Sequence, residues 1–348
     1  MQHARPKPCS AHGGAGAATS DVLLLDPSTS APFLADVDTM LFDCDGVLWK
    51  GSMVVPGTPE ALRALRAQGK RLLFVTNNAS KPRSAYAAKF TSLGLDVAVT
   101  EVVSASYAAA AYLTSIGFSK KVLLLGNSGV EQELTEAGIE WIGGEAMVLP
   151  HMGEMDAIAS FQPDPEIGAV VVGWDPHFDF SRLVYASVCL RELPGCIFVA
   201  TNTDCADTLG GLRMMPGTGG LVAAVQVASG VAPIVVGKEG PWLLGHLREK
   251  YGLIPDRAAI VGDRLDTDIA MVIPLRAVYR SEPDFPFPRK PPHTWWERAW
   301  SGRAGGLTTV LALTGIASMD DARRAAAVGE GPDAAVASVA QLAGLSGY

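Results

Sequence analysis

Two carboxylates separated by one residue, Asp43 and Asp45, follow the apolar run Thr39–Phe42 and precede Gly46. In an open α/β sheet, ligands gather beyond the carboxyl ends of the strands, so both side chains are set to project into a site. Such a pair can divide the labour of an ester hydrolysis. Asp43 can attack phosphorus and form an aspartyl-phosphate, and Asp45 can protonate the leaving oxygen and then activate water. An Asp-Gly turn closing a strand gives the same pattern, so the pair alone leaves both readings open.

Three further strand ends carry suitable groups. Thr76-Asn77-Asn78 follows the run Arg71–Val75 and offers a hydroxyl and backbone N–H groups to phosphate oxygens, although Asn-Asn is also ordinary turn material. Lys238 closes the run Ile234–Val236 after Gly237. There it is a point charge suited to a phosphate and a carboxylate together, or a plain surface lysine. Gly262-Asp263-Arg264-Leu265-Asp266-Thr267-Asp268 follows the run Ala258–Val261. Its acids make a hard-oxygen environment suited to Mg²⁺, with Asp263 as direct ligand and Asp268 behind it, orienting Lys238. Asp266 reads equally well as a solvated loop charge or helix cap.

The elements that must position these groups follow a regular rhythm. Short apolar runs alternate with helical segments at Pro59–Gly69, Ser104–Leu113 and Leu221–Ala228, the pattern of an α/β protein with a parallel sheet. The 348 residues suffice for two domains or one large one, and 48% hydrophobic with 18% charged content supports a sizeable core. A net charge of −8 argues against nucleic-acid partners, and no apolar run reaches the roughly 20 residues needed to span a bilayer. Five cysteines without a CxxC pair read as free thiols, not as a disulfide framework or zinc site.

Taken together in this order, the four strand-end motifs are highly specific. Phe42-Asp43-Cys44-Asp45-Gly46-Val47-Leu48-Trp49, Val75-Thr76-Asn77-Asn78, Val236-Gly237-Lys238 and Val261–Asp268 resemble the haloacid-dehalogenase-like phosphatases. The branch is that of phosphoglycolate, pyridoxal and 4-nitrophenyl phosphatases, and the chain looks most like its plant and algal phosphoglycolate members. The resemblance implies a Rossmann-like parallel-sheet core with an inserted α/β cap domain. It implies that Asp43 is the nucleophile and Asp45 the acid and base. Mg²⁺ would bind Asp43, the backbone carbonyl of Asp45, and Asp263. Thr76, Asn77 and Asn78 would hold the phosphoryl group with Lys238, and Asp268 would support from behind. A cap explains why Asn78 and Lys238 lie too far apart for one crossover connection. The expected division is an N-terminal extension at 1–35, core at 36–118, cap at 119–232 and core again at 233–348.

The resemblance implies 2-phosphoglycolate, the photorespiratory product, as first substrate; pyridoxal phosphate and a broad range of esters are the alternatives. An inactive binding protein on the same fold is the alternative of another class. Val172–Phe178 and Ala200–Asp204 look like cap segments of phosphoglycolate phosphatases. Pyridoxal phosphatases carry a histidine just after the second segment, where this chain has Cys205-Ala206-Asp207. His177 reads as a solvated loop histidine, with a substrate contact as the alternative. A homodimer through the cap is expected of this branch. The N-terminus has no acidic residue before Asp21 and reads either as the tail of an organelle transit peptide or as a disordered extension; together with the plant and algal resemblance it points to the chloroplast, with the cytoplasm as alternative. Two departures stand out. Proline usually follows the motif lysine, whereas here Glu239-Gly240-Pro241 does. Residues 272–301, rich in Pro, Arg and Trp, interrupt the helix expected after Asp268, and read as a retained intron or gene-model error, or else a surface loop.

Overall fold

The computed structural model describes residues 22–147, 152–208, 213–271, 307–327 and 330–347, which form sixteen strands, β1 to β16 in chain order. Seven of them build one parallel sheet: β1 (Leu23–Leu25), β2 (Thr39–Phe42), β5 (Arg71–Thr76), β6 (Val102–Ser104), β14 (Ala258–Gly262), β15 (Thr308–Ala312) and β16 (Ala334–Val336). Their spatial order is β1-β16-β15-β14-β2-β5-β6. A second parallel sheet, ordered β13-β10-β9-β7-β8, contains β7 (Lys121–Leu125), β8 (Trp141–Gly143), β9 (Ile167–Val172), β10 (Ile197–Ala200) and β13 (Ile234–Val235). Two short hairpins complete the set, β3 (Trp49–Lys50) with β4 (Met53–Val54), and β11 (Ala206–Thr208) with β12 (Met214–Pro216). The architecture is α/β: a Rossmann-like core with a second α/β module inserted into it.

Both faces of each sheet are covered, which is why the strands are continuous apolar runs and not alternating ones. Every residue of β2, β9 and β14 is buried. Along β2, Met40 and Phe42 join one apolar cluster while Leu41 joins another, the period of two expected for a strand. The cluster containing Leu41 continues through the helix Ala105–Ser115 into Val122, Leu124, Ala169, Val171 and Val199 of the second sheet. That helix is buried nearly all round, and its alanines keep it slim between the two modules. Its start is capped by Ser104, whose Oγ accepts from the Tyr107 N–H at 3.2 Å.

Two expected boundaries shift. Residues 1–35 do not all form an extension: β1 pairs parallel with β16 at the edge of the core sheet, and Pro27–Phe33 is helical. The inserted sheet also runs past 232, because Ile234–Val235 pairs with Val199–Ala200 of β10. Lys238 is therefore delivered by the last strand of the inserted module, not by a core strand. The segments 1–21 and 272–301, read as transit peptide and as retained intron or loop, lie outside the described residues. No helix among the described residues is long and apolar enough to cross a membrane.

Candidate active site

Strand β2 lies where the sheet order reverses, with β5 and β6 to one side and β14, β15 and β16 to the other. Crevices open beyond the strand ends at such a switch point. Asp43 follows β2 directly, Thr76 ends β5 and Asp263 follows β14, so three neighbouring strands aim their last residues at one place. The Asp43 N–H donates to Val261 O at 2.8 Å, carrying the strand pairing one residue further and fixing the Asp43 backbone.

At this place one ammonium meets three carboxylates. Carboxylate oxygens of Asp43, Asp263 and Asp268 all lie within 4.8 Å of one another. Lys238 Nζ donates to Asp43 Oδ1, and to Asp268 Oδ1 at 2.6 Å. Asp268 Oδ2 accepts the backbone N–H groups of Asp263 and Arg264, each at 3.1 Å. That reach comes from one wide helical turn at Leu265–Ile269, in which Ile269 N–H bonds to Arg264 O and Ala270 N–H to Leu265 O, five residues back. Such turns recur at functional sites. Asp263 Oδ2 accepts the Ile316 N–H at 2.8 Å, and its carboxylate is wedged against two glycines. A Cβ at Gly46 would lie 2.4 Å from that oxygen and one at Gly315 only 1.9 Å, so neither position admits a side chain.

The electrostatics follow from burial. Asp43, Lys238, Asp263 and Asp268 are all buried, and desolvation disfavours each charge. Burial pushes the Asp43 carboxyl well above the usual range, Lys238 pulls it back, and the Asp268 and Asp263 carboxylates push it up again. Burial works against the Lys238 ammonium, but Asp268 and Asp43 outweigh it and raise the pKa. Burial, then Asp268, push Asp263 up to about 6. Three acids against one ammonium leave an excess of negative charge that a hard divalent cation would neutralise, and oxygen donors are what Mg²⁺ takes. The residues present fit that ion.

The other expected site residues are placed as follows. The Asp45 side chain is half exposed and stands outside the acid cluster; Oδ1 accepts Trp49 Nε1 at 2.7 Å, with Lys89 Nζ 3.7 Å away. Lys89 also sits 4.1 Å over the Trp49 ring. Thr76 is buried, and its Oγ1 accepts the Asn78 N–H at 3.2 Å. Asn77 is buried, but its side chain is engaged by protein groups: Oδ1 accepts the Lys238 N–H at 2.9 Å, and Nδ2 donates to Glu239 Oε2 at 3.0 Å. Asn78 is exposed and closes a local turn by accepting the Ser80 N–H at 2.8 Å. His177 is exposed.

Residues to which the sequence assigned no role at the site also reach it. Thr314, whose hydroxyl donates to Gly46 O at 2.7 Å, comes with Gly315 and Ile316 from the end of β15. A strand followed by Thr-Gly was the signal available for them. From the inserted module, Asn202 Nδ2 donates to Asn77 O at 2.8 Å, and Arg264 of the core reaches back to Ala206 O at 3.4 Å. A cavity of about 540 Å³ lies elsewhere, lined by Arg83, Tyr107, Glu133, His246 and Lys250 among others. It shares no lining residue with the acid cluster, and the chemistry argues for the strand ends.

Comparison with known proteins decides the lineage. Residues 40–140 match the haloacid dehalogenase-like hydrolase family, and residues 235–272 match a second HAD-hydrolase-like family model. Phosphoglycolate phosphatase 2 of Arabidopsis thaliana is 43% identical over 71% of this chain and 82% of its own length. The chain belongs to the haloacid dehalogenase-like hydrolases. Two other relatives bracket it: the chloroplastic phosphoglycolate phosphatase 1A of the same plant is 39% identical over 81% of this chain and 70% of its own. Human glycerol-3-phosphate phosphatase is 38% identical over 89% of both chains. Among solved structures, the 4-nitrophenylphosphatase of Thermotoga maritima superposes with a TM-score of 0.67 at 25% identity, covering 89% of this chain and 97% of that one. This chain is a phosphoric monoester hydrolase of that family.

Proposed function

We propose that the chain hydrolyses 2-phosphoglycolate through an aspartyl-phosphate on Asp43. The observation that carries the mechanism is the buried Asp43 carboxylate bridged by Lys238 to Asp268, beside Asp263 at the end of the adjoining strand. Asp43 attacks phosphorus, the new P–O bond forms as the ester P–O bond breaks, and Asp45 delivers a proton to the departing oxygen. Asp45 then takes a proton from the water that attacks the phosphoenzyme, which frees phosphate and restores Asp43. Being half exposed, the Asp45 carboxylate reaches the leaving oxygen by side-chain rotation away from Trp49. Thr76 and the backbone N–H groups beyond it hold phosphoryl oxygens, and Lys238 balances the charge that develops there. Asp43 and Asp263, with the Asp45 carbonyl, would hold Mg²⁺, which supplies electrostatic stabilisation of the phosphoryl group when bound.

The phosphoglycolate assignment is supported by the two plant relatives and by the cap segments around Trp174 and Asn202. The coverage of the human relative favours glycerol 3-phosphate as a second reading. Initial rates on 2-phosphoglycolate, glycerol 3-phosphate, pyridoxal phosphate and 4-nitrophenyl phosphate separate the two. The first reading requires the highest kcat/KM on 2-phosphoglycolate, and a higher value on glycerol 3-phosphate replaces it. Chloroplast residence is supported by the chloroplastic relatives and is checked by imaging a fluorescent fusion to the intact N-terminus. Self-association through the inserted module is checked by sedimentation.

A further inference from the structure

Glu239 occupies the position after the motif lysine, where proline is usual, and its carboxylate turns inward. Oε1 accepts the Thr203 N–H at 3.1 Å and the Thr203 hydroxyl at 3.3 Å, while Oε2 accepts Asn77 Nδ2 at 3.0 Å. Asn77 in turn accepts the Lys238 N–H on Oδ1, and its carbonyl accepts Asn202 Nδ2. The backbone beside this network is closely packed. A Cβ on Gly237 would lie 2.5 Å from Thr201 O, 2.8 Å from Asn77 Oδ1 and 3.0 Å from Glu239 Oε2. One carboxylate thus joins three pieces: the loop after β10 in the inserted module, the loop after β5 in the core, and the link that carries Lys238. The Lys238 ammonium is not its partner, being engaged by Asp43 and Asp268.

We propose that Glu239 is a positioning residue, which holds the Lys238 ammonium on Asp43 by clasping the cap loop at Thr203 to Asn77. The proposal rests on the assignment of Asp43 and Lys238 to the reacting site. The need for a carboxylate is chemical: both oxygens accept, whereas glutamine offers one acceptor and turns an N–H₂ group onto a donor. Because the clasp fixes a group that acts on charge developing in the transition state, its loss shows in kcat more than in KM.

The test compares Glu239→Ala and Glu239→Gln with the parent enzyme on 2-phosphoglycolate and 4-nitrophenyl phosphate, at saturating Mg²⁺, per folded molecule from unfolding curves. Glu239→Ala lowers kcat roughly tenfold to a hundredfold on both esters while KM stays within about threefold, as expected for a displaced catalytic group. Glu239→Gln falls between Ala and the parent, and half-saturation by Mg²⁺ does not move. Should the alanine variant fail to fold, the glutamine variant decides. A kcat within about twofold of the parent in the folded variants, or a loss confined to KM, overturns the proposal. Asp43→Asn runs in parallel: activity there overturns the site itself, whereas an inactive Asp43→Asn beside fully active Glu239 variants overturns the clasp alone.

Discussion

The core strand ends and the inserted module meet at the site, but they are held by different forces. On the core side, Asp43, Asp263 and Asp268 gather round the Lys238 ammonium, which the chain leaving the inserted sheet brings in, with backbone N–H groups on Asp268 and glycine backbone against Asp263. On the cap side the contacts are hydrogen bonds and a longer ion pair: Asn202 donates to Asn77 O, Asn77 Nδ2 to Asp204 at 3.3 Å and Thr203 to Glu239, while Arg264 lies 3.9 Å from Asp204. The cap is anchored further back by the apolar cluster it shares with the core, and by Arg83. That guanidinium binds Glu133 at 3.0 and 3.1 Å and lies 4.1 Å from the Tyr107 ring centre. The acid cluster is thus held by short charged contacts and the loop after β10 by longer ones, a difference that substitutions on the two sides can test.

After the loss of Asp43 itself, the largest effect expected on the core side is at Asp45. Asp45→Asn lowers kcat/KM, which reports transfer to Asp43, by roughly 10²–10⁴-fold on alkyl phosphates, and less on 4-nitrophenyl phosphate, whose leaving group needs no proton. Equal losses of kcat/KM on both would remove Asp45 from the path of the leaving-group proton. Lys238→Met comes next, with kcat lower by roughly 10²–10³-fold on every ester, since a donor aimed at the phosphoryl charge is lost. A loss confined to one substrate would move Lys238 to the selecting side of the comparison.

Arg83→Ala tests the anchor without touching the site. Glu133 is left buried with the residue 83 backbone N–H still donating to it but its guanidinium partner lost, so unfolding by denaturant shows a loss of about 2 kcal/mol, while kcat of the folded enzyme stays unchanged. A fall in kcat at unchanged stability would tie the anchor to the chemistry instead. The smallest effect is a pH dependence. Asp263 titrates near 6 in the folded metal-free protein, above its unfolded value, because burial and Asp268 disfavour its charge. Between about 4 and 6 the unfolded chain has released that proton and the folded one has not, so metal-free stability falls as pH rises through this window. Mg²⁺ requires the ionised carboxylate, so its affinity weakens about tenfold per pH unit below 6. Calorimetry with and without Mg²⁺ across pH 4 to 8 checks both signs.

Much of the core side was legible in the sequence because its groups follow continuous apolar strands directly, and a buried parallel strand leaves little choice of where its last residue points. Asp43, Thr76 and Asp263 were found in this way. The sheet that carries Ile234–Val235 was not legible, since a two-residue apolar run pairs equally well in either sheet until β10 is in place. Strand β1 was hidden for a related reason. Leu23–Leu25 is short and adjoins an acid-poor tail, and only its pairing with β16 marks it as sheet. Glu239 could be seen to depart from the pattern, but whether it faced solvent or Asn77 depended on Thr203 arriving from the other module.

In the proposed mechanism a carboxylate oxygen of Asp43 takes the phosphoryl group. Rapid acid quench during turnover of labelled 4-nitrophenyl phosphate, followed by peptide mapping, tests it most directly. The prediction is a hydroxylamine-labile phosphate on Asp43 that accumulates in Asp45→Asn and is missing in Asp43→Asn. Product formation with no label on Asp43 in either the parent or Asp45→Asn enzyme would contradict it.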